Sequence, residues 1–218
     1  MKNPNIEIIY KDKDILVVNK PSGVPIETKN IAQKDLESSI KNMLSNEGIK
    51  NPYLAAINRL DQPVGGLVLF ALNKKAAAKL SDDLSKGRID KYYKAEVFGE
   101  FEIKEGTLED YLYKDSKINM SFAIKENDPR FKEGKKAILE YREEAPGILV
   151  IKLITGRHHQ IRVQLSNAGH PILGDTKYGS NESKTESEKR GIGELKLKAF
   201  RLIINHPKTG ERKEFCIN

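Results

Sequence analysis

The sequence predicts an α+β protein built around a mixed, largely antiparallel sheet flanked by helices. Segments with a period of two, such as 92–97, indicate strands. Segments with helical periodicity, 35–47 and 74–86, lie between the strands without strict alternation, which favours an α+β architecture over a doubly wound parallel sheet. Of 218 residues, 38% are hydrophobic, which is enough for a sizeable core.

Each helix has recognisable end signals. The first predicted helix carries Leu36, Ile40, Met43 and Leu44 on one face, and Gly48 lies where a C-terminal cap is expected. Asn73 can cap the second helix, and Gly87 can end it. A third helix is predicted over 157–167, with Thr155 as its N-cap. The predicted strands cover 6–10, 15–18, 67–72, 92–97, 137–141, 148–154, 199–205 and 213–217.

The chain shows no internal repeat and no compositional break that would mark a linker. We therefore expect one catalytic domain over residues 1–218. The segment 180–194 is polar and lacks periodicity, so we expect it to form a flexible surface loop.

Composition narrows the class of function. The formal net charge of +7 favours a polyanionic partner such as RNA, DNA or an acidic membrane surface. The single cysteine, Cys216, excludes an internal disulfide and a thiolate metal cage. Because neither a signal peptide nor an apolar membrane-spanning stretch is recognisable, we expect a cytoplasmic protein without a membrane partner.

One charged pair stands out because of its apolar surroundings. Arg59 and Asp61 lie between the apolar stretches 54–57 and 67–72. Burial of a carboxylate is costly unless a cation or several donors meet it. Asp61 is therefore a candidate catalytic carboxylate; the alternative is a structural ion pair or a charged turn.

Two further residues have ambiguous positions. Arg162 shares a predicted helix face with apolar residues, so its guanidinium either meets an anion or reaches solvent while its stem covers apolar surface. Tyr93 lies on the inner face of its predicted strand, where its ring belongs either to the core or to the wall of a pocket for a planar base.

The order of several motifs resembles the RluA-type pseudouridine synthases over nearly the whole chain. The blocks that carry the resemblance are, in order, 17–23 (VVNKPSG), 59–61 (RLD) with 66–67 (GL), 91–99 (KYYKAEVFG), 155–162 (TGRHHQIR) with 169–175 (GHPILGD) and 178–179 (YG), and 202–207 (LIINHP).

The resemblance implies the pseudouridine synthase fold with a central catalytic cleft. It also implies an enzyme that isomerises specific uridines in ribosomal RNA, transfer RNA or both. Asp61 would act as nucleophile or base on the sugar of a flipped-out nucleotide, Arg162 would pair with Asp61, and Tyr93 would stack on the uracil. The residues expected to bind RNA are Arg59, Lys20, Lys91 and Arg157. No cofactor and no metal are expected, and we expect a monomer.

The chain departs from the family pattern in places, and we expect it to lack the small N-terminal RNA-binding domain that many members carry. Many members have His where this chain has Asn58, Ser or Thr within 63–65, and His near Lys198. One alternative is therefore a non-catalytic RNA-binding protein on the same fold. Another is a metal-dependent hydrolase that uses its histidines, although His158 and His159, as neighbours in a helix, would point to different faces.

Overall fold

The computed structural model describes residues 6–28 and 33–218. The chain forms two compact units. Unit 1 comprises Met1–Asp90 and Ala199–Asn218, and unit 2 comprises Lys91–Lys198. The expectation of one catalytic domain over the whole chain stays a prediction.

Unit 1 contains the first four strands, the first two helices and most of the last two strands. In chain order these are β1 (Glu7–Lys11), β2 (Ile15–Lys20), α1 (Leu36–Asn46), β3 (Ala55–Ala56), β4 (Gly65–Ala71), α2 (Lys74–Ser85), β10 (Leu197–Asn205) and β11 (Arg212–Cys216). Both helices lie within one residue of their predicted bounds, and their side-chain N-caps are Asp35 and Asn73.

The sheet of unit 1 has the strand order β1–β2–β4–β10, with β3 on β4 and β11 on β10. Strands β2 and β4 pair antiparallel, so that Lys20 lies opposite Gly66. The core packs alternate residues of these strands against α2 and β11, including Val17, Leu69, Leu80 and Phe215. This pairing places the end of β2, at Lys20, beside the start of β4. The candidate residues Arg59 and Asp61 lie in the turn that precedes β4.

Gly66 allows the close packing of β4. Its φ is +120°, and a Cβ at this position would lie 2.2 Å from the carbonyl oxygen of Ala199. Only glycine fits both this backbone conformation and this approach.

Unit 2 contains the remaining strands and helices. They are β5 (Asp90–Glu96), β6 (Glu105–Asp115), β7 (Met120–Ile124), β8 (Lys135–Ala145), β9 (Ile148–Leu153), α3 (Gln160–Asn167) and α4 (Asn181–Lys189), with a 3₁₀ turn at Phe131–Glu133. Their sheet order is β5–β9–β8–β6–β7, and every one of these pairings is antiparallel.

Strands β6 and β7 were not predicted from the sequence, although β6 is eleven residues long. Its side chains are mostly polar or charged, so hydrophobic alternation is absent. The strand is held by backbone pairing with β7 on one side and β8 on the other.

The predicted start of the third helix was wrong. Thr155 does not cap it; its Oγ1 accepts a hydrogen bond from Ile138 N and donates to Gln160 Oε1. His159 has a left-handed φ of 54°, which is incompatible with a helix, so α3 begins at Gln160. The residues from 155 to 159 therefore form an irregular turn.

The prediction of a flexible loop over 180–194 was also wrong, since Asn181–Lys189 forms α4. Ser180 caps the helix by accepting from Ser183 N. The hydroxyl of Ser187 donates to Ser183 O and accepts from Gly174 N. The buried face of α4 consists of small polar residues, which a search for apolar periodicity cannot detect.

No helix among the described residues combines the length and the apolar character needed to cross a membrane.

Candidate active site

The turn that carries Asp61 is anchored to β4 by a buried amide. Asn58 Nδ2 donates to Leu67 O at 3.1 Å, and Asn58 Oδ1 accepts from Leu69 N at 2.7 Å. A further hydrogen bond, from Val64 N to Asp61 O, closes the turn. The amide of Asn58 therefore stabilises the turn. Many family members have His at this position, and a neutral His ring likewise offers one donor and one acceptor.

The same turn is held from its other side by the loop that follows β2. Lys20 is 1% exposed, and its Nζ donates to the carbonyl oxygens of Pro21, Val24 and Gln62 at 2.7–3.0 Å. Gly23 exchanges two hydrogen bonds with Gln62, one from its own N–H and one to its carbonyl. The loop after β2 and the turn after β3 thus form one hydrogen-bonded structure with Asp61 half-buried at its centre.

Lys20 is positioned as a buried charge rather than as a surface cation. Its ammonium has three N–H groups, and all three are used by backbone carbonyls. The phosphate contact expected for this residue has no support in this geometry. Burial lowers the pKa of Lys20 to about 8, although the negative charge of Asp61 acts in the opposite direction and raises it. The two groups therefore interact electrostatically within unit 1.

We expect Lys20→Met to lower the free energy of unfolding by about 1–3 kcal/mol, because it leaves buried carbonyls without their donor. Activity should fall as the turn loosens. Lys20→Arg should not restore it, since a planar guanidinium cannot reproduce three diverging donors. Chemical denaturation and a turnover assay measure both effects, with the exposed helix residue Lys75→Met as control.

The pH dependence of stability gives a second measurement on Lys20. Its pKa of about 8 in the folded protein is below the ordinary value of about 10.4. Between these values the unfolded chain binds more protons, so the stability contribution of Lys20 rises with pH across this window. The Lys20→Met protein should lack this rise; an identical pH profile would contradict the assignment.

Arg59 extends outward from the same turn. Its Nη1 lies 2.7 Å from Glu27 Oε1, and both side chains are largely exposed. An exposed pair of this kind contributes at most about 1 kcal/mol, so a competing anion can displace Glu27 at small cost.

In unit 2, Arg162 forms a buried bidentate ion pair with Asp175. Its Nε and Nη2 each donate to one carboxylate oxygen at 2.7 Å, and the two side chains are 5% and 0% exposed. The other acceptor capacity of Asp175 is used by the backbone N–H groups of Lys177 and Tyr178. Burial would raise the pKa of Asp175, but the hydrogen bonds and the charge of Arg162 outweigh it and hold this pKa below its ordinary value.

Aromatic side chains enclose this pair. The guanidinium of Arg162 lies 5.0 Å from the centre of the Tyr178 ring. Tyr178 Oη accepts a hydrogen bond from Ser121 N and lies at hydrogen-bond distance, 2.7 Å, from His159 Nδ1. Burial, with the charge of Arg162, lowers the pKa of His159 to about 4, so the ring is neutral at physiological pH.

The other candidate residues of unit 2 lie on β5 and in the turn before α3. Tyr93 is 6% exposed and lies opposite Ile151 of β9. Lys91 is half-buried, which lowers its pKa, and a Cβ on Gly156 would lie 3.6 Å from its Nζ. Arg157 is exposed, and its Nε donates to Lys136 O. Lys91 and the segment that contains Arg157 are thus neighbours.

The sequence did not assign a role to Asp175 or Tyr178, although both fall within motif blocks. One signal was available: an inward-facing arginine requires an anion, and Asp175 is an acidic residue of the same block. Local periodicity does not show which carboxylate meets which guanidinium.

The histidines do not form a shared metal site of the expected kind. The rings of His158 and His159 do not point apart, as predicted for a helix; they stack with centroids 3.7 Å apart, because neither residue is helical. Asp12, Asp14 and His206 place three potential ligand atoms within 4.8 Å of one another. These atoms are already hydrogen-bonded, with His206 Nε2 donating to Asp12 Oδ2 at 2.8 Å, and they tie two turns of unit 1 together.

Comparison with known proteins agrees with the motif order. A profile described as RNA pseudouridylate synthase matches residues 14–167. The dual-specificity RNA pseudouridine synthase RluA of Haemophilus influenzae is 33% identical over 222 residues, covering 97% of this chain and 92% of the relative. The ribosomal large subunit pseudouridine synthase C of Pasteurella multocida is 30% identical, covering 94% of this chain and 62% of the relative.

A solved structure shares the fold. Human RNA pseudouridylate synthase domain containing 1 superposes with a TM-score of 0.79 at 24% identity, covering all of this chain and 85% of the human one.

Proposed function

The chain belongs to the RNA pseudouridylate synthase family, and from this premise we propose that Asp61 is the carboxylate with which it isomerises uridine in RNA. The activity is that of an RNA pseudouridine synthase, an isomerase whose substrate is RNA. The assignment of individual residues to steps of the reaction is our inference.

The observation that carries the proposal is the support given to the Asp61 turn. Asn58 and Lys20 hold the backbone on either side of a half-buried carboxylate. The Lys20 ammonium attracts the negative charge of Asp61, and this attraction favours the ionised form. An ionised, oriented carboxylate is what attack on a sugar carbon, or removal of a sugar proton, requires.

The reaction needs the uracil to leave its sugar, rotate and return through a ring carbon. Asp61 acts at the sugar as nucleophile or as base. We propose, as the family resemblance implies, that Arg162 orients the charged carboxylate of Asp61; Asp175 holds two of the guanidinium N–H groups. Tyr93 stacks on the free uracil and takes part in moving the proton from the ring carbon.

A uridine within folded RNA must be extruded before it can react. Arg59 is suited to fill the vacated position or to contact a phosphate, since the ion pair that it forms with Glu27 is exposed. Lys91 and Arg157 contribute further positive charge to RNA binding. The affinity for RNA should therefore fall steeply with salt.

The substrate is a uridine of ribosomal RNA, transfer RNA or both. Names of the relatives support this range, since one is a large-subunit ribosomal enzyme and another has dual specificity. The cytoplasmic location and the monomeric state expected from the sequence belong to the same proposal. Gel filtration of the purified protein tests the monomeric state.

Deletion of the gene and mapping of pseudouridine in total RNA test the proposed function. We expect one or a few pseudouridines to vanish and to return when the gene is restored. If deletion leaves the pseudouridine map unchanged, the proposal is wrong, and the alternative of a non-catalytic RNA-binding protein is favoured.

A further inference from the structure

Unit 2 contains a pocket whose lining belongs to β6, β7, β8 and the turn before α3. Its volume is about 340 Å³, within the range of small-ligand sites, about 300–1,000 Å³. Lys114, Lys135 and Arg157 contribute positive charge to its wall, and Glu133 is its acidic residue. None of the proposed reaction steps uses Lys114 or Lys135.

The charges of this pocket differ from those on the neighbouring surface. Among residues 6–28 and 33–218, Lys114, Lys135 and Arg157 have no carboxylate within ion-pair distance. Lys136, next in sequence to Lys135 and on the opposite face of β8, is paired with Glu109 at 2.6 Å. The pocket therefore presents three cations that are not neutralised, which is the electrostatic signature of a site for a polyanion.

The rest of the wall is hydrogen-bonded and partly apolar. His158 is held by Ser121 Oγ at 2.9 Å and by Asn119 Oδ1 at 3.1 Å. Leu112, which is buried, and Tyr113, which is half-buried, also line the pocket, and the guanidinium of Arg130 lies 5.1 Å from the centre of the Tyr113 ring. A wall with cations and flat or apolar surface suits a phosphate joined to a planar base.

The pocket also borders residues of the candidate active site. Gly156 lines it, and a Cβ on Gly156 would lie 3.6 Å from Lys91 Nζ. Lys91 precedes Tyr93 on β5 by two residues. An RNA strand whose uracil stacks on Tyr93 can therefore continue past Lys91 into this pocket.

We propose that this pocket binds a second nucleotide of the substrate RNA, with its phosphate between Lys114, Lys135 and Arg157 and its base against Tyr113. The inference rests on the proposed function for the identity of the polyanion, and it adds a recognition subsite that is separate from the reacting uridine.

The test compares Lys114→Ala/Lys135→Ala with Lys136→Ala in the full-length protein. The probes are total transfer RNA and a transcript of large-subunit ribosomal RNA, with filter binding measured over a range of salt concentrations. We expect the double variant to bind at least one probe about tenfold more weakly, and its salt slope to fall by about 1–2. Lys136→Ala should behave as the wild-type protein does.

Three further measurements separate loss of RNA binding from loss of catalysis or of stability. KM should rise in the double variant while kcat changes little, and the melting temperature should stay unchanged because both lysines are exposed. Uridine 5′-monophosphate should protect Lys114 and Lys135 from amine labelling only at concentrations far above those of RNA. Equal protection by RNA and by the free nucleotide would indicate a mononucleotide site and overturn the proposal.

The failures of the two proposals are distinguishable. If the wild-type protein forms pseudouridine and the double variant binds RNA as Lys136→Ala does, only the second-nucleotide subsite is wrong. If no pseudouridine depends on the gene but the double variant still loses RNA affinity, the subsite stands and the proposed function fails.

Discussion

Replacement of Asp61 by Asn is expected to reduce pseudouridine formation by about 10³-fold or more, the upper part of the range for loss of an acid–base group. The amide has the size of the carboxylate and keeps the turn intact, but it carries no negative oxygen to attack or deprotonate the sugar. Release of tritium from RNA that contains [5-³H]uridine measures the rate. RNA affinity should remain within a few-fold of the wild-type value.

The control for this experiment is Glu47→Gln, which makes the same change on an exposed carboxylate of unit 1 that is paired with Lys11. Its turnover should equal that of the wild-type protein. Substantial tritium release by Asp61→Asn would remove Asp61 from the reaction and the proposed mechanism with it. Loss of RNA binding together with activity would instead indicate that the turn had unfolded.

The second large effect is expected from Asp175→Asn. This change leaves the buried guanidinium of Arg162 without its carboxylate, and breaking a buried pair in this way costs about 3–5 kcal/mol of stability. Because Arg162 would then lose its fixed orientation, kcat should fall more than KM changes. Urea unfolding and steady-state kinetics of the same preparation measure the two effects.

A matched control exists on the surface of unit 2. Asp128 and Arg130 form the same bidentate arrangement, at 2.9 and 2.7 Å, but Arg130 is 46% exposed whereas Arg162 is 5% exposed. Asp128→Asn should therefore cost no more than about 1 kcal/mol and leave kcat unchanged. Equal losses in the two variants would show that burial does not decide the strength of the Arg162–Asp175 pair.

The pH dependence of the second effect has a defined sign. The pKa of Asp175 is lowered in the folded protein, so its stabilisation is present above the ordinary pKa of about 3.9 and is lost as pH falls through the lower, folded value. The stability difference between the wild-type protein and Asp175→Asn should therefore shrink on acidification below about pH 4. A difference that stays constant down to acid unfolding would contradict the pairing.

Double replacement separates the structural from the functional part of the pair. Arg162→Met/Asp175→Leu should recover part of the stability lost in the single variants, since it removes both buried charges. It should not recover activity, because the guanidinium proposed to hold Asp61 is gone. Recovery of activity would assign Arg162 a purely structural role.

The sequence by itself determined the class of the fold, the family and the two capped helices of unit 1. These depend on local patterns, since the apolar face of α1 and the cap at Asn73 can be read within a few residues. The motif order likewise identified Asp61 and Arg162 as candidates without any knowledge of their contacts.

Only the tertiary structure showed the partners of those candidates. Lys20 looks like a phosphate-binding residue in the sequence, but three carbonyls enclose its ammonium, one of them more than forty residues away. Asp175 reaches Arg162 because the turn that follows α3 folds back on that helix. Helix α4 packs without an apolar face because the Ser187 hydroxyl accepts a hydrogen bond from Gly174 N. Periodicity reports which side of an element is buried; which donor meets which acceptor depends on packing between segments that are distant in the chain.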